Sequence, residues 1–267
     1  MSPLELLYEP PGLPSFDLPA ELAAAYPGTL GFAKPRLYAN FVATVDGVVA
    51  VPSLPGSNKL IAAASATDRF VMGLLRACAD VLVIGSGTLT ASPRGVWSPE
   101  QAYPDAAPAF AELRRRLGRP ERLEVAVLSA SGRLDPAHPA FAAGALVLTT
   151  GAGAAALAGR LPAASEAVSL TPGPELDAAT AVALLRGRGH RLILSEGGPN
   201  AIGSLLAAGL VDELFLTVSP LLLGRTPGDG RLAIVEGADL LADGPLGARL
   251  LGVRRDGEHL FLRYELL

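Results

Sequence analysis

The chain has 267 residues, half of them hydrophobic, with 22 basic against 26 acidic side chains and a formal net charge of −4. That length can bury a substantial core, and that charge, with no dense basic stripe, argues against nucleic acid as a partner. The lone cysteine, Cys78, sits in an apolar helical pattern; it excludes an internal disulfide and a cysteine-built metal cluster, and no metal site is expected.

Every apolar run is broken by Gly, Pro or a charge, so no membrane span is expected. MSPLELLYEPPGLPSF lacks the basic start and apolar centre of a signal peptide, which makes the cytoplasm the expected compartment. Residues 1–35 are rich in Pro and Gly and read as an irregular arm that wraps the domain or reaches a partner subunit. RLYANFVATV (36–45) is the first strand, closed by an Asp46-Gly47 turn. Apolar residues at Phe70, Val71, Leu74, Leu75 and Cys78 predict an amphipathic helix from Ser65 or Thr67 to Ala79.

VLVIG (81–85) reads as a strand buried on both faces, followed by a Ser86-Gly87-Thr88 turn and a long polar, proline-containing segment. A helix follows near 109–117, and the basic run LRRRLGRPER at its end, flanked by Glu112, Glu121 and Glu124, reads as a solvated helix end. Strands are expected at 125–129, 145–150, 167–170, 191–195 and 214–219, and helices at 152–158, 177–186 and 201–208. ARLLGVRRDGEHLFLRYEL has the alternation and the Asp256-Gly257 turn of an antiparallel hairpin. Together these predict an α/β fold, a mostly parallel sheet with helices on both faces and an antiparallel edge.

Two glycine turns end buried strands: Gly85-Ser86-Gly87-Thr88 and Glu196-Gly197-Gly198-Pro199-Asn200. Ligands of open α/β sheets bind outside the carboxyl ends of the strands, and two such turns on adjacent ends would cradle a pyrophosphate with backbone N–H groups. VLSASG, a strand ending at Ser129, offers a third place, for an adenosine phosphate or ribose. One glycine after a strand is an ordinary turn; three such strand ends in one chain point to a dinucleotide. No G-x-G-x-x-G opens a helix at the right distance, so the standard Rossmann fingerprint is absent.

NFVATVDG, ATDRFVMGLLRACADVLVIGSGTL and SEGGPNAIGSLLAAGLVDELFLTVSPLLLG follow one another in an order and at spacings that resemble the reductase domain of the riboflavin-biosynthesis deaminase/reductase proteins. The resemblance covers about residues 36–266. It implies a three-layer α/β/α dihydrofolate reductase-like fold over 36–267, NADPH as cofactor, and a homodimer joined through a sheet edge. It places Asp68 at a cofactor-contacting acid, Gly85 to Thr88 where NADPH binds, and Glu196 to Asn200 on the pyrophosphate. Asn40, Thr44 and Asp46 fall beside the nicotinamide and the substrate.

The implied activity is NADPH-dependent hydride transfer to a heterocyclic small molecule, first of all a riboflavin-pathway ribosylaminopyrimidine phosphate. A pterin or dihydrofolate-type reductase and a non-catalytic nucleotide-binding homologue are the alternatives. Asp46 is the expected catalytic residue, orienting or polarising the substrate; service as a general acid would require a raised pKa.

Three departures from the family pattern stand out. His138, His190, His259 and one cysteine cannot form the family's deaminase metal site, so a stand-alone reductase is expected. Val48 and Val49 follow the Asp-Gly where Lys or Arg is common, and Thr90-Ala91-Ser92-Pro93-Arg94 replaces an acidic run, leaving Arg94 to meet a substrate phosphate. Near the adenosine 2′-phosphate only Arg133 follows Ala130, so the preference for NADPH over NADH rests on the resemblance.

Overall fold

A computed structural model describes every residue except Met1, Ala33, Lys34, Pro55, Pro227 and Asp243. The chain opens with strand β1 (Glu5–Tyr8) and helix α1 (Ala20–Ala25), then enters β2 (Arg36–Thr44), α2 (Ser57–Ile61) and α3 (Ala66–Cys78). Next come β3 (Val81–Gly85), α4 (Ser86–Ala91), α5 (Pro99–Ala102), a short 3₁₀ turn, and α6 (Ala107–Arg116). β4 (Glu124–Ser129), α7 (Pro139–Ala142), β5 (Leu146–Thr150), α8 (Gly151–Leu157) and β6 (Glu166–Thr171) follow. The last third holds α9 (Ala178–Gly187), β7 (Leu192–Ser195), α10 (Pro199–Ala207), β8 (Glu213–Ser219) and the hairpin β9 (Ala248–Asp256) and β10 (His259–Leu266).

The strands form one ten-stranded sheet in the order β1-β9-β10-β8-β2-β7-β3-β4-β5-β6. From β8 to β6 all neighbours are parallel, while β10, β9 and β1 pair antiparallel. The mostly parallel sheet with its antiparallel hairpin is the architecture expected of the sequence. Alternation along β2 sends Leu37, Ala39 and Phe41 to one face and Tyr38 to the other. α3 and α6, with the arm, cover the Tyr38 face, and α9 and α10 cover the opposite one, giving three layers.

α3 forms where its apolar spacing predicts, and Ser65 caps it by accepting the N–H of Asp68 at 3.1 Å. Cys78 is buried among these apolar contacts, and burial pushes its thiol up to about 12, which leaves it unreactive at neutral pH.

Two expectations need correction. The arm is not irregular throughout: β1 extends the sheet against β9, and Leu4, Leu22, Tyr26, Leu30 and Phe32 join the core. Its pairing partner lies some 250 residues away, beyond the reach of any local pattern. The segment after Gly85 is not a free turn either; Ser86 enters α4 at once, with Gly87 and Thr88 in its first turn, and the helix ends at Ala91, shortly before Pro93.

Candidate functional site

β7 lies between β2 and β3, so the chain reverses its direction of travel across the sheet at this point. The carboxyl ends of β2, β3 and β7 therefore open side by side, the place where open α/β sheets hold ligands. Both predicted glycine turns arrive there. A Cβ on Gly198 would lie 3.3 Å from Thr88 Oγ1, and one on Gly85 would lie 3.4 Å from Ala201 Cβ, so the two turns are in contact. Gly197 packs so tightly on α10 that a Cβ would sit 2.8 Å from that of Ala201. Gly87 is the opposite case: it is exposed, and a Cβ there would meet nothing within 4 Å.

The helices leaving these turns share a feature. Neither α4 nor α10 has a side-chain cap, a property they share with α1, α2 and α6, whereas α3, α5, α7, α8 and α9 are capped by side chains. Pro199 opens α10 and brings no N–H, and the N–H groups of Gly198 and Asn200 have no protein acceptor among the described residues. Uncapped first turns side by side present partial positive charge to one small volume. Asn200 itself is exposed at this entrance, and Ser86 and Thr88 are half-buried.

Glu196 is engaged by a residue that sequence reasoning missed. Arg76, in the last turn of α3, grips its carboxylate with Nε at 3.0 Å from Oε1 and Nη2 at 2.6 Å from Oε2. Its Nη1 donates to Ser98 O at 3.2 Å, and the Glu196 backbone N–H donates to Val83 O of β3 at 3.0 Å. Both side chains are about nine-tenths buried. Only the charge of Arg76 amid an apolar helix pattern hinted at a partner, and the partner lies 120 positions on.

On the β2 side, Thr44 is buried and its hydroxyl donates to the Asp46 carboxylate. That carboxylate also accepts the backbone N–H groups of Leu223 at 3.2 Å and Gly224 at 2.6 Å. Arg231 Nη1 holds the carbonyls of the same two residues, each at 2.8 Å, so the start of the loop after β8 is gripped from both sides. The Thr44 hydrogen bond, followed by those two N–H groups, lowers the pKa of the exposed Asp46. The raised pKa a general acid requires is not what this geometry provides. Asn40 is half-buried on β2 and borders a cavity of about 10 Å³ together with Val71, Phe215 and Thr217.

Asp68 meets β8. It is 5% exposed in the first turn of α3 and bonds with the Thr217 side chain of β8. Burial raises its pKa to about 6, against the lowering effects of the Thr217 bond and of His259. Arg94 is exposed in the segment between α4 and α5, where its carbonyl accepts from Gln101 at 2.8 Å.

The third strand end differs from the other two. Ser129 is buried, its carbonyl accepting the Thr149 hydroxyl at 2.6 Å, and Ala130 O accepts that of Thr150 at 2.8 Å. Gly132, at φ +60°, lies so close to α8 that a Cβ would fall 2.2 Å from Gly153 O. The structure thus brings together Gly85 to Thr88 with Glu196 to Asn200, and Thr44 with Asp46, while Asp68, Ser129 and Arg94 each occupy separate surroundings. Among the described residues no group of His, Cys, Asp and Glu could hold a metal ion, and no helix is long and apolar enough to cross a membrane.

The structure is similar to that of a pyrimidine reductase-like protein from Corynebacterium diphtheriae, with a TM-score of 0.64 and 21% identity over 94% of this chain and 96% of that one. It is also similar to a diaminohydroxyphosphoribosylaminopyrimidine deaminase/5-amino-6-(5-phosphoribosylamino)uracil reductase from Thermotoga maritima (TM-score 0.62, 18% identity, 88% of this chain). The chain spans 57% of that protein's length. The riboflavin biosynthesis reductase Rib7 of Saccharomyces cerevisiae matches with a TM-score of 0.57 and 14% identity over 90% of this chain and 93% of that one. At these identities the likeness is one of fold. No curated protein matches the chain in sequence. A family model does match, from residue 35 to residue 262, and the chain belongs to the RibD C-terminal domain family.

Proposed function

We propose that the protein is a reductase that uses a nicotinamide dinucleotide, NADPH by family expectation, to reduce a pyrimidine of the riboflavin pathway, a ribosylaminopyrimidine phosphate. The observation that carries the reading is the contact between two glycine strand ends, β3 and β7, whose helices start without side-chain caps. The residues fit a pyrophosphate: Gly87 leaves room for close approach, and the one carboxylate in the turn, Glu196, is neutralised by Arg76 and so does not repel an anion. When bound, the cofactor supplies a hydride from its nicotinamide ring.

The chain's own residues bind and orient. Gly85 to Thr88, with Gly198 and Asn200 of the Glu196–Asn200 turn, hold the diphosphate through backbone N–H groups. Asn40 offers both a donor and an acceptor to the substrate from the floor of β2. Asp46, ionised at neutral pH, acts through its charge and through the loop it anchors, orienting the substrate rather than delivering a proton. Arg94, exposed and without an ionic partner among the described residues, is the cation offered to a substrate phosphate. Asp68 and Ser129, expected at the cofactor, remain part of the same proposal at its margins. Assembly as a homodimer in the cytoplasm belongs to it as well.

One observation favours a second reading. The carboxylate of Asp46 is already engaged by Thr44, Leu223 and Gly224, an anchoring role that suits a nucleotide-binding homologue without turnover. Titration with NADPH and, separately, NADH, followed by nicotinamide fluorescence, tests the proposal. Micromolar binding and loss of 340 nm absorbance with an aminopyrimidine substrate is the expected result. Binding without turnover on pyrimidine or pterin substrates selects the second reading, and binding of neither nucleotide rejects both.

A further inference from the structure

Three buried Arg–Glu pairs are built alike, Arg254–Glu9, Arg263–Glu213 and Arg76–Glu196, each arginine also donating to a backbone carbonyl, and their placement differs. Arg254 meets Glu9 at 2.7 Å and donates to the carbonyl of Pro27 at 2.8 Å, tying the N-terminal arm to β9. Arg76 meets Glu196 at 2.6 Å and donates to the carbonyl of Ser98, and the carboxylate it holds opens the turn that follows β7. We propose that Arg76 is a positioning residue for the dinucleotide cradle, setting the Glu196–Gly198 turn against the Gly85–Thr88 strand end. The proposal rests on the cofactor reading above.

The turn has few other restraints. Gly197 and Gly198 carry no side chains, Pro199 donates nothing, and the Gly197 N–H bond to Ser195 Oγ is long at 3.4 Å. Beyond the packing of Gly197 on α10 and the Glu236 N–H on Pro199 O, two bonds tie it to the sheet and to α3: the Glu196 N–H on Val83 O of β3, and the Glu196 carboxylate on Arg76. The first sets the height of the turn above the sheet. The second sets its rotation about that point, and so the direction in which the Gly198 and Asn200 N–H groups face. A guanidinium suits this role because its planar fork holds both carboxylate oxygens and a carbonyl at once, whereas an ammonium keeps the charge without the geometry. The same fork secures Ser98, at the end of the segment that carries Arg94.

Arg76→Lys separates geometry from charge, and Arg254→Lys serves as the matched control, a similar pair far from the cradle. The measurements are NADPH affinity by fluorescence, Tm, and amide hydrogen exchange. For Arg76→Lys the expected result is NADPH binding weakened by 10-fold or more, with faster exchange confined to residues 96–101 and 196–200. Arg254→Lys should lose comparable Tm and bind NADPH as the wild type does. Arg76→Lys with Glu196→Gln should bind no more weakly than the worse single variant, since both act through one link. Wild-type affinity in Arg76→Lys, or equal weakening in Arg254→Lys, overturns the role given to Arg76. A wild-type protein that binds neither NADPH nor NADH overturns the cofactor reading itself, which separates the two failures.

Discussion

The two ends of the parallel sheet are built from different materials. At the amino ends, charged side chains close the structure. Asp80 accepts the N–H groups of Arg191 and Leu192 at 2.7 and 2.6 Å and pairs with the buried Arg119. Arg114 donates to the carbonyls of Ala79 and Pro120 at 2.9 and 2.8 Å, and Arg36 pairs with Asp212. At the carboxyl ends of β3 and β7 there are glycines, uncapped helices and the Arg76–Glu196 ion pair. The first end is tied together by charged side chains, while the turns of the second leave backbone N–H groups without a protein acceptor among the described residues. On the proposed function, stability and binding belong to opposite ends of the same strands, and variants at the two ends should behave differently.

The largest expected effect is at the amino ends. Asp80→Ala leaves the guanidinium of Arg119 buried without its carboxylate and frees two strand N–H groups, and should cost about 3–5 kcal/mol. Chemical denaturation reads that loss; NADPH affinity of the protein that stays folded should not change. If affinity falls in step with stability, the division between the two ends is wrong.

Asp68, in the first turn of α3 against Thr217 of β8, sharpens the comparison through pH. Its folded pKa of about 6 lies above the ordinary 3.8, so the native state holds a proton that the unfolded chain has released between those values. Stability therefore falls as pH rises through this window, and the penalty is complete above it. Asp68→Asn copies the protonated form and keeps an acceptor for Thr217. It should stabilise the protein at pH 8 by about 2–3 kcal/mol, with the gain vanishing towards pH 4. Denaturant midpoints at the two pH values would show it, and a gain that persists at pH 4 would mean that burial is not the cause.

Gly87→Val carries the smallest cost to the fold and speaks to binding alone. A side chain there points into open space, so stability should change by less than about 0.5 kcal/mol. It also fills the volume proposed for the diphosphate, and NADPH affinity should drop 10-fold or more. Fluorescence titration alongside Gly187→Ala, an open glycine at the end of α9, gives the comparison. Equal affinity in both variants would place the ligand elsewhere.

Much of this arrangement can be read in the residues themselves. Unbroken β-branched runs mark β3 and β5, a two-residue alternation marks β10, and the glycines of residues 85–87 and 197–198 mark the strand ends where ligands are expected. Local pattern fails where the cause is distant. β1 is a strand because β9 is there to pair with it, and neither Leu6 nor Tyr8 says so. Arg76 and Glu196 meet across 120 residues, and Asp46 finds its acceptor role in Leu223 and Gly224 only once β8 has folded beside β2. Serine at the end of β4 resembled the glycine turns in sequence, yet the close approach of Gly132 and Gly153 seals that end.

Hydrogen–deuterium exchange of the wild-type protein with and without saturating NADPH tests the central claim most directly. The account predicts slowed exchange at residues 85–88 and 197–202, with the amides of 80–82, 114–124 and 191–193 unchanged. Protection at the amino ends with none at the glycine turns would contradict it.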